Sequence, residues 1–144
     1  MSDIRELDAL RRELNALKVR ERPLLTLPFY PRALAPHTAN AATIMDAPVW
    51  RAVRPQRLAL QVFVDTTNNA TNYWTIALSI INNNVVTAQG SVNTSALTAS
   101  SWQSLALTSF ATPSWDTLTA IAYLGITKTG TPGGLYVLPT LLVA

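Results

Sequence analysis

Apolar residues are spaced differently in three successive zones of the chain. In the first zone, residues 1–22, leucine recurs at Leu7, Leu10, Leu14 and Leu17, at intervals of three, four and three. This is the spacing of a heptad pattern, which brings every one of these leucines to the same face of an amphipathic helix. The first zone is therefore predicted to be an amphipathic helix with a short leucine seam.

The residues at the ends of this zone are typical of helix ends. Asp3, followed three residues later by Glu6, has the spacing of a capping box, and Pro23 marks the stop. An isolated helix of this length is marginal in water, so its leucines must pack on something. One possibility is the chain's own β-domain. The other, which the proline-rich neighbour favours, is a bundle with copies of itself or a socket on a partner.

The second zone, residues 23–57, combines proline with apolar side chains and holds six of the nine prolines. Proline favours extended backbone, and a disordered linker would be polar and poor in aromatic residues. The zone is therefore predicted to be an extended arm lying along a surface, its own or a neighbour's. Together with the helix seam, four of its side chains are assigned to oligomerisation or attachment: Leu24, Leu25, Phe29 and Tyr30.

The third zone, residues 58–144, changes to a period of two, which is the pattern of half-buried strands. The clearest alternating sets are Leu58, Leu60, Val62, Val64 and Trp74, Ile76, Leu78, Ile80. Further strands are predicted at 85–92, 104–110, 117–124 and 135–143, separated by turns rich in Asn, Thr, Gly and Pro. Such a series predicts a mainly β fold, an antiparallel β-sandwich or jelly roll, after the helix and arm. Pro139 marks the last strand as an edge strand or a bulged one.

Charge is distributed unevenly along the sequence. Residues 1–22 hold six basic and five acidic side chains, whereas residues 58–144 hold only Asp65, Asp116 and Lys128. The net charge of +3 reflects arginines between the two regions, not a basic stripe with interleaved aromatics, so no nucleic-acid partner is expected. A β-surface of Thr, Ser and Asn can pack against copies without desolvating charges, so a homo-oligomer is expected.

The inventory of reactive side chains is small. The chain has no cysteine and one histidine, His37, which excludes thiolate chemistry and makes a metal site, a cofactor or a Ser-His-Asp triad unexpected. The carboxylates Asp65 and Asp116 sit beside turns, where hydrogen bonding explains them. A non-enzymatic protein is predicted; loss of an activity on changing either aspartate would revive the enzymatic alternative. No apolar run reaches the ~18 residues of a membrane span, and residues 1–22 do not read as a signal peptide.

Two tryptophans in loop-like surroundings, Trp102 and Trp115, are candidates for glycan contact. Exposed aromatic faces beside Asn, Asp and Thr side chains are typical of sugar-binding surfaces. The competing interpretation is packing in the core or in an interface.

The succession of short coil, apolar proline arm and nearly uncharged Thr/Ser/Asn-rich β-domain resembles small virion proteins of tailed bacteriophages. Residues 116–139 are similar in style to phage fibre and decoration domains. The resemblance implies a homotrimer or other multimer in the virion, assembled in the host cytoplasm and attached to capsid or tail proteins. The helical seam favours a head or tail fibre, and the arm favours a capsid decoration (cement) protein. The alternative is a carbohydrate-binding or host receptor-binding sandwich.

Overall fold

The structure is a computed structural model of the 144-residue chain. Its backbone is described for residues 2–20, 25–27, 29–31, 36–49, 52–115 and 120–144, and its side chains for the same residues except 2, 16–20, 30 and 31.

Within the described residues, one helix precedes nine strands. The helix α1 spans Ser2–Arg20, so Asp3 lies in its first turn rather than before it. The strands are β1 Leu25–Leu27, β2 Tyr30–Pro31, β3 Ala41–Pro48, β4 Pro55–Val64, β5 Tyr73–Asn82, β6 Val85–Asn93, β7 Gln103–Leu107, β8 Ile121–Thr129 and β9 Leu135–Val143.

The strands form two antiparallel sheets, ordered β1-β9-β4-β7 and β2-β3-β8-β5-β6. Consecutive strands lie in different sheets, with two exceptions: β2 and β3 share a sheet, and so do β5 and β6, which form a hairpin. Strands that cross repeatedly between two facing sheets in this order form a jelly roll. The predicted mainly β, antiparallel sandwich preceded by a helix is confirmed, and its topology is that of a jelly roll.

The sandwich begins earlier than residue 58. The segment 23–57, predicted as a separate arm, contributes β1, β2 and β3 to the two sheets, and β4 itself starts at Pro55. Strand β3 lies between β2 and β8 and buries Ile44, Met45 and Ala47 in the core. The predicted boundaries are corrected accordingly, because the apolar residues of this segment complete the chain's own sheets.

A single core fills the space between the sheets. The inward positions of β4 and β9 on one side meet those of β5 and β8 on the other. Trp74 is fully buried in this core, and its indole N–H donates to the carbonyl of Gly133 at 3.2 Å. The period-two pattern of the sequence therefore marks the core-facing side of each long strand.

Local backbone geometry follows the residue types at the turns. The β5–β6 hairpin turns at Asn83 and Asn84, both with positive φ (48° and 62°), the conformation that a two-residue hairpin needs and asparagine tolerates. Pro139 lies in the inner strand β9 opposite Leu60 of β4, but β1 covers only Leu141–Val143. Among the described residues, no strand pairs with Pro139 on its other side, so a missing N–H does no harm there.

Strands β7 and β8 differ most from the sequence-based prediction. Strand β7 ends at Leu107 rather than Phe110, because the chain then leaves the sheet and Ala111 bonds through its N–H to the carbonyl of Gln89 at 3.0 Å. Strand β8 runs to Thr129, and it pairs with β3 on one side and with β5 on the other. Residues 117–119 of the predicted strand lie outside the described residues.

Candidate functional site: a leucine seam and an aromatic surface cluster

The apolar face of α1 is open to solvent. Leu7, Leu10 and Leu14 are exposed by 60%, 61% and 53%, and Ile4 of the first turn by 67%. Every residue of α1 from position 3 to position 15 is exposed. The leucine seam is therefore not buried against the chain's own sandwich over that range.

The other residues predicted for attachment do not form one surface with the seam. Leu25 lies in β1 opposite Val143 and is about one-third exposed, while Phe29 is half-buried against the core. Leu24 and the side chains of Leu17 and Tyr30 lie outside the described residues. Of the residues predicted for attachment, Leu7, Leu10 and Leu14 therefore form the continuous exposed seam among the described residues.

A second candidate surface is a cluster of three aromatic rings on the outer face of the sheet that contains β4. The ring centre of Phe63 lies 5.6 Å from that of Trp102 and 5.7 Å from that of Tyr136, and the rings of Trp102 and Tyr136 are 6.5 Å apart. Trp102 is 46% exposed, whereas the other two rings are half-buried. We call this group the aromatic cluster.

Strand register produces the aromatic cluster. Phe63 faces Tyr136 across the β4–β9 pair, and Val62 faces Gln103 across the β4–β7 pair, which leaves Trp102 just beyond that register position. The Gln103 side chain donates to the carbonyl of Thr98 at 2.7 Å and so fixes the loop that carries Trp102. The exposed indole extends from this loop and lies against the rings of Phe63 and Tyr136.

Next to the aromatic cluster, the loops at this end of the sandwich are tied together by polar side chains. Thr94 is fully buried and accepts the backbone N–H of Trp74 at 2.9 Å, and its hydroxyl lies against the buried side chain of Asn68. With its amide turned so that oxygen faces Thr94, Asn68 donates to the carbonyls of Thr66 and Pro132 at 3.0 and 3.1 Å. Asn68 thereby joins the β4–β5, β6–β7 and β8–β9 connections.

Beside Asn68, a glycine allows the β8–β9 connection to approach the β4–β5 loop. Gly130 has φ of +66°, and a Cβ there would collide with the carbonyl oxygen of Thr71. The neighbouring Thr131 N–H donates to the side-chain oxygen of Asn72 at 2.8 Å. The loop end beside the aromatic cluster is therefore rigid and rich in hydrogen-bonding groups.

The prediction that Trp115 contacts a glycan is corrected by its burial. Trp115 is only 3% exposed, and its backbone forms a two-bond bridge with Val53. Its indole N–H donates to Oε1 of Gln89 at 3.3 Å, and its ring packs edge-on against Phe110 at 6.5 Å. A ring held in this way cannot present a face to a sugar.

Gln89 explains why Trp115 turns inward. The β5–β6 register shifts between Leu78 and Ser79, which leaves Gln89 as the extra residue of a bulge, and its side chain is buried. Its amide also bonds Thr112 twice, each time at 3.1 Å. Beside these groups lies a cavity of about 140 Å³, lined by Ile80, Thr87, Trp115 and Ala120 among others.

Titratable groups are sparse in the described part of the sandwich. His37 bridges to Leu135 through two backbone hydrogen bonds of 2.7 and 3.0 Å, and burial lowers the pKa of its imidazole below the usual 6.5. Asp65 is exposed in a turn and its N–H donates to the carbonyl of Gly134 at 3.1 Å, while Asp116 lies outside the described residues. Within the described ranges, no three His, Cys, Asp or Glu residues are grouped as metal ligands, and no helix is long and apolar enough to span a bilayer.

Sequence reasoning missed Phe63, Tyr136 and Gln89. For the two aromatic residues a signal existed, because each is a large apolar side chain at an outward position of an alternating strand. For Gln89 none existed, since the bulge that turns it inward depends on pairing with another strand.

Comparison with known proteins gives little. No protein-family model matches the chain, and no curated protein matches it in sequence. Among solved structures, the sandwich is similar to a chain in the structure of infectious bursal disease virus, Gx strain, with a TM-score of 0.45 and 12% identity over 84% of this chain. The match spans 31% of that viral chain. A likeness of this size decides neither family nor function.

Proposed function

We propose that this chain is a non-enzymatic structural subunit of a virion, of the tailed-phage type, that assembles with copies of itself through α1. The observation that carries the proposal is the exposed leucine seam, Leu7, Leu10 and Leu14, on a helix that needs packing of its apolar face for most of its stability. Apolar side chains at heptad spacing with more than half of their surface in water need a partner helix. The proposed assembly is a homotrimer.

The surface of the sandwich supports assembly in a second way. Between residues 52 and 144, the described charged side chains are Arg54, Arg57, Asp65 and Lys128, and the outer strand faces are otherwise neutral. Neutral Thr, Ser and Asn side chains pack against other subunits without the cost of burying charges. Jelly rolls also occur repeatedly as viral capsid domains and as lectins, which agrees with the proposal but does not carry it.

Within a virion, a fibre role fits the structure better than a cement role. The segment 23–57 was the reason to consider cementing, and its three strands β1, β2 and β3 are used in the chain's own sheets. This leaves α1 as the part that is exposed and in need of partners. We therefore propose a head or tail fibre component, with capsid or tail proteins of the same particle as its further partners.

The test is the mass of the full-length protein in solution, measured by sedimentation and light scattering. The wild type is expected at a multiple of the 15.7 kDa chain mass, three for the proposed trimer. Leu10→Glu/Leu14→Glu on the seam is expected to be monomeric. Ala9→Glu, which adds a charge one residue away but off the seam, is expected to keep the wild-type mass. A monomeric wild type would contradict self-assembly.

The location in a virion needs a separate experiment. An antibody against the folded protein is expected to label gradient-purified particles, and mass spectrometry of those particles is expected to contain its peptides. Detection in the infected-cell lysate but in no purified particle would contradict a structural role in the virion.

A second candidate function, binding of a host-surface glycan, is favoured by the aromatic cluster. Trp102 presents an exposed, immobilised ring beside the neutral pair Gln61 and Ser104, whose side chains are 2.8 Å apart. Stacking on such a ring next to amide and hydroxyl groups suits an uncharged sugar. Trp102→Ala is expected to abolish glycan-array binding, and Val85→Ala, an exposed residue of the β5–β6 hairpin, is expected to retain it. No binding by the wild type to any glycan would remove this candidate.

A further inference from the structure

The charged residues that flank the leucine seam bear on whether two copies of α1 pair in parallel or antiparallel. With Leu7 and Leu14 at heptad position a and Leu10 at position d, Glu6 falls at position g and Arg11 at position e. The sequence repeats this arrangement one heptad later, where Glu13 is again at g and Lys18 at e. Position g is thus acidic and position e basic in both heptads.

Parallel and antiparallel assemblies of this helix differ sharply in charge. In a parallel, in-register coiled coil, position g of one helix lies beside position e of the next heptad on its neighbour, so Glu6 meets Arg11. Glu13 meets Lys18 in the same way. In an antiparallel pair, g faces g and e faces e, which sets glutamate against glutamate and a basic residue against a basic residue. The charge pattern therefore favours only the parallel arrangement.

We propose that α1 pairs with copies of itself as a parallel, in-register coiled coil, directed by Glu6 opposite Arg11 and Glu13 opposite Lys18 of a neighbouring chain. The inference rests on the proposed self-assembly and adds its partner, direction and register. The described flanking groups fit, because Glu6, Arg11 and Glu13 are all exposed. Parallel helices also bring the sandwiches of all copies to the same end of the coil.

A single cysteine tests direction, since the chain has no cysteine of its own. Asp3→Cys stands at position d, where parallel neighbours bring the two sulfurs together. In an antiparallel pair centred on the seam the same two residues are roughly 27 Å apart, at 1.5 Å per residue. A disulfide spans only about 4.4–6.8 Å between Cα atoms. Asp8→Cys, at the outward position b, is the matched control.

Mild oxidation of the full-length variants, followed by a non-reducing gel, gives the readout. Asp3→Cys is expected to form a disulfide-linked dimer band, and Asp8→Cys is expected to remain a single chain. If Asp3→Cys sediments as an oligomer but does not cross-link, the parallel register is overturned while self-assembly stands. If both the wild type and Asp3→Cys are monomers, self-assembly itself fails and the inference fails with it.

Charge reversal tests the pairing independently of the cysteine. Glu6→Lys/Glu13→Lys makes both flanks basic, and Arg11→Glu/Lys18→Glu makes both flanks acidic. Each variant alone is expected to be monomeric at a protein concentration where the wild type is assembled, whereas an equimolar mixture is expected to assemble, because a basic flank meets an acidic one wherever the two variants are neighbours. Unchanged assembly of either variant alone would overturn the proposed ion pairs.

Discussion

The helix and the sandwich treat their apolar side chains in opposite ways. In α1 the leucines of the seam are more than half exposed, whereas the sandwich buries Leu58, Leu60 and Trp74 almost completely. Charged side chains are concentrated in the helix region, with eleven in residues 1–22 and only three in residues 58–144. The sandwich is thus complete within one chain, while the helix carries an apolar surface and the charges that select what covers it.

Two kinds of stability coexist in this chain. The sandwich draws its free energy from a core that involves both sheets, and this term does not depend on protein concentration. A short helix with an unburied seam gains most of its stability from packing, so its term depends on partners and therefore on concentration.

The largest effect is expected from removing the central core residue of the sandwich. Trp74→Ala should lower the free energy of unfolding by about 3–5 kcal/mol, because it empties a large buried site and removes the indole hydrogen bond to Gly133. Urea unfolding followed by circular dichroism measures the change. Trp102→Ala is the matched control and should cost much less, since that ring is half exposed. Equal losses for the two variants would contradict the core assignment.

A smaller loss is expected from the buried polar group that joins three loops. Asn68→Ala should lower the free energy of unfolding by about 1–3 kcal/mol, because it removes the hydrogen bonds that the buried Asn68 amide makes with Thr94 and with the carbonyls of Thr66 and Pro132. Gln61→Ala removes an exposed hydrogen bond to Ser104 and should stay within about 0.5 kcal/mol of the wild type. A loss for Asn68→Ala no larger than that of the control would show that water replaces the amide.

Much of the sandwich could be predicted because the alternation of apolar residues is a local signal. Strand β9 was predicted at its observed bounds. The core-facing residues of β4 and β5 were also predicted, since one side of each strand is buried. The membership of β1 and β3 in the sheets could not be predicted in this way. Their short or irregular runs gain a partner only through pairing with β9 and β8, which are distant in sequence.

The candidate site shows the same division between local and long-range information. The exposed seam of α1 follows from heptad spacing within one helix. The different positions of Trp102 and Trp115, exposed and buried, do not follow from their similar loop-like neighbourhoods. Their difference is set by a bulge at Gln89 and by the register that places Phe63 beside Tyr136, both of which are properties of strand pairs.

The contrast between helix and sandwich predicts that a seam residue can be changed without weakening the core. Leu14→Ala keeps a good helix former, so the sandwich should unfold with a free energy within about 0.5 kcal/mol of the wild type. Trp74, Trp102 and Trp115 lie in the sandwich and the sequence of α1 holds no tryptophan, so tryptophan fluorescence does not report on α1.

As both proteins are diluted, Leu14→Ala should lose its helical circular dichroism signal at a higher protein concentration than the wild type does. Ala9→Glu, off the seam, should follow the wild-type curve. If the free energy of unfolding from the fluorescence transition of Leu14→Ala falls by more than about 1 kcal/mol, α1 docks on its own sandwich, which contradicts the independence of helix and sandwich.

The smallest effect concerns His37, which lies between β2 and β3 and is tied to β9 through its two backbone bonds with Leu135. Burial lowers the pKa of its imidazole below 6.5, so the folded protein binds a proton at this site less readily than the unfolded chain does. The unfolded state then takes up more protons as the pH falls below about 6.5, and folding stability must decrease there and level off below the folded pKa.

His37→Gln keeps the backbone bridge and removes the titrating ring. Urea unfolding of both proteins between about pH 7.5 and about pH 5 should therefore show the wild type losing more stability than the variant on acidification. Carboxylates titrate in both proteins and cancel in the difference. The difference should be modest because the imidazole is only half-buried, and two parallel pH profiles would show that its burial has no energetic consequence.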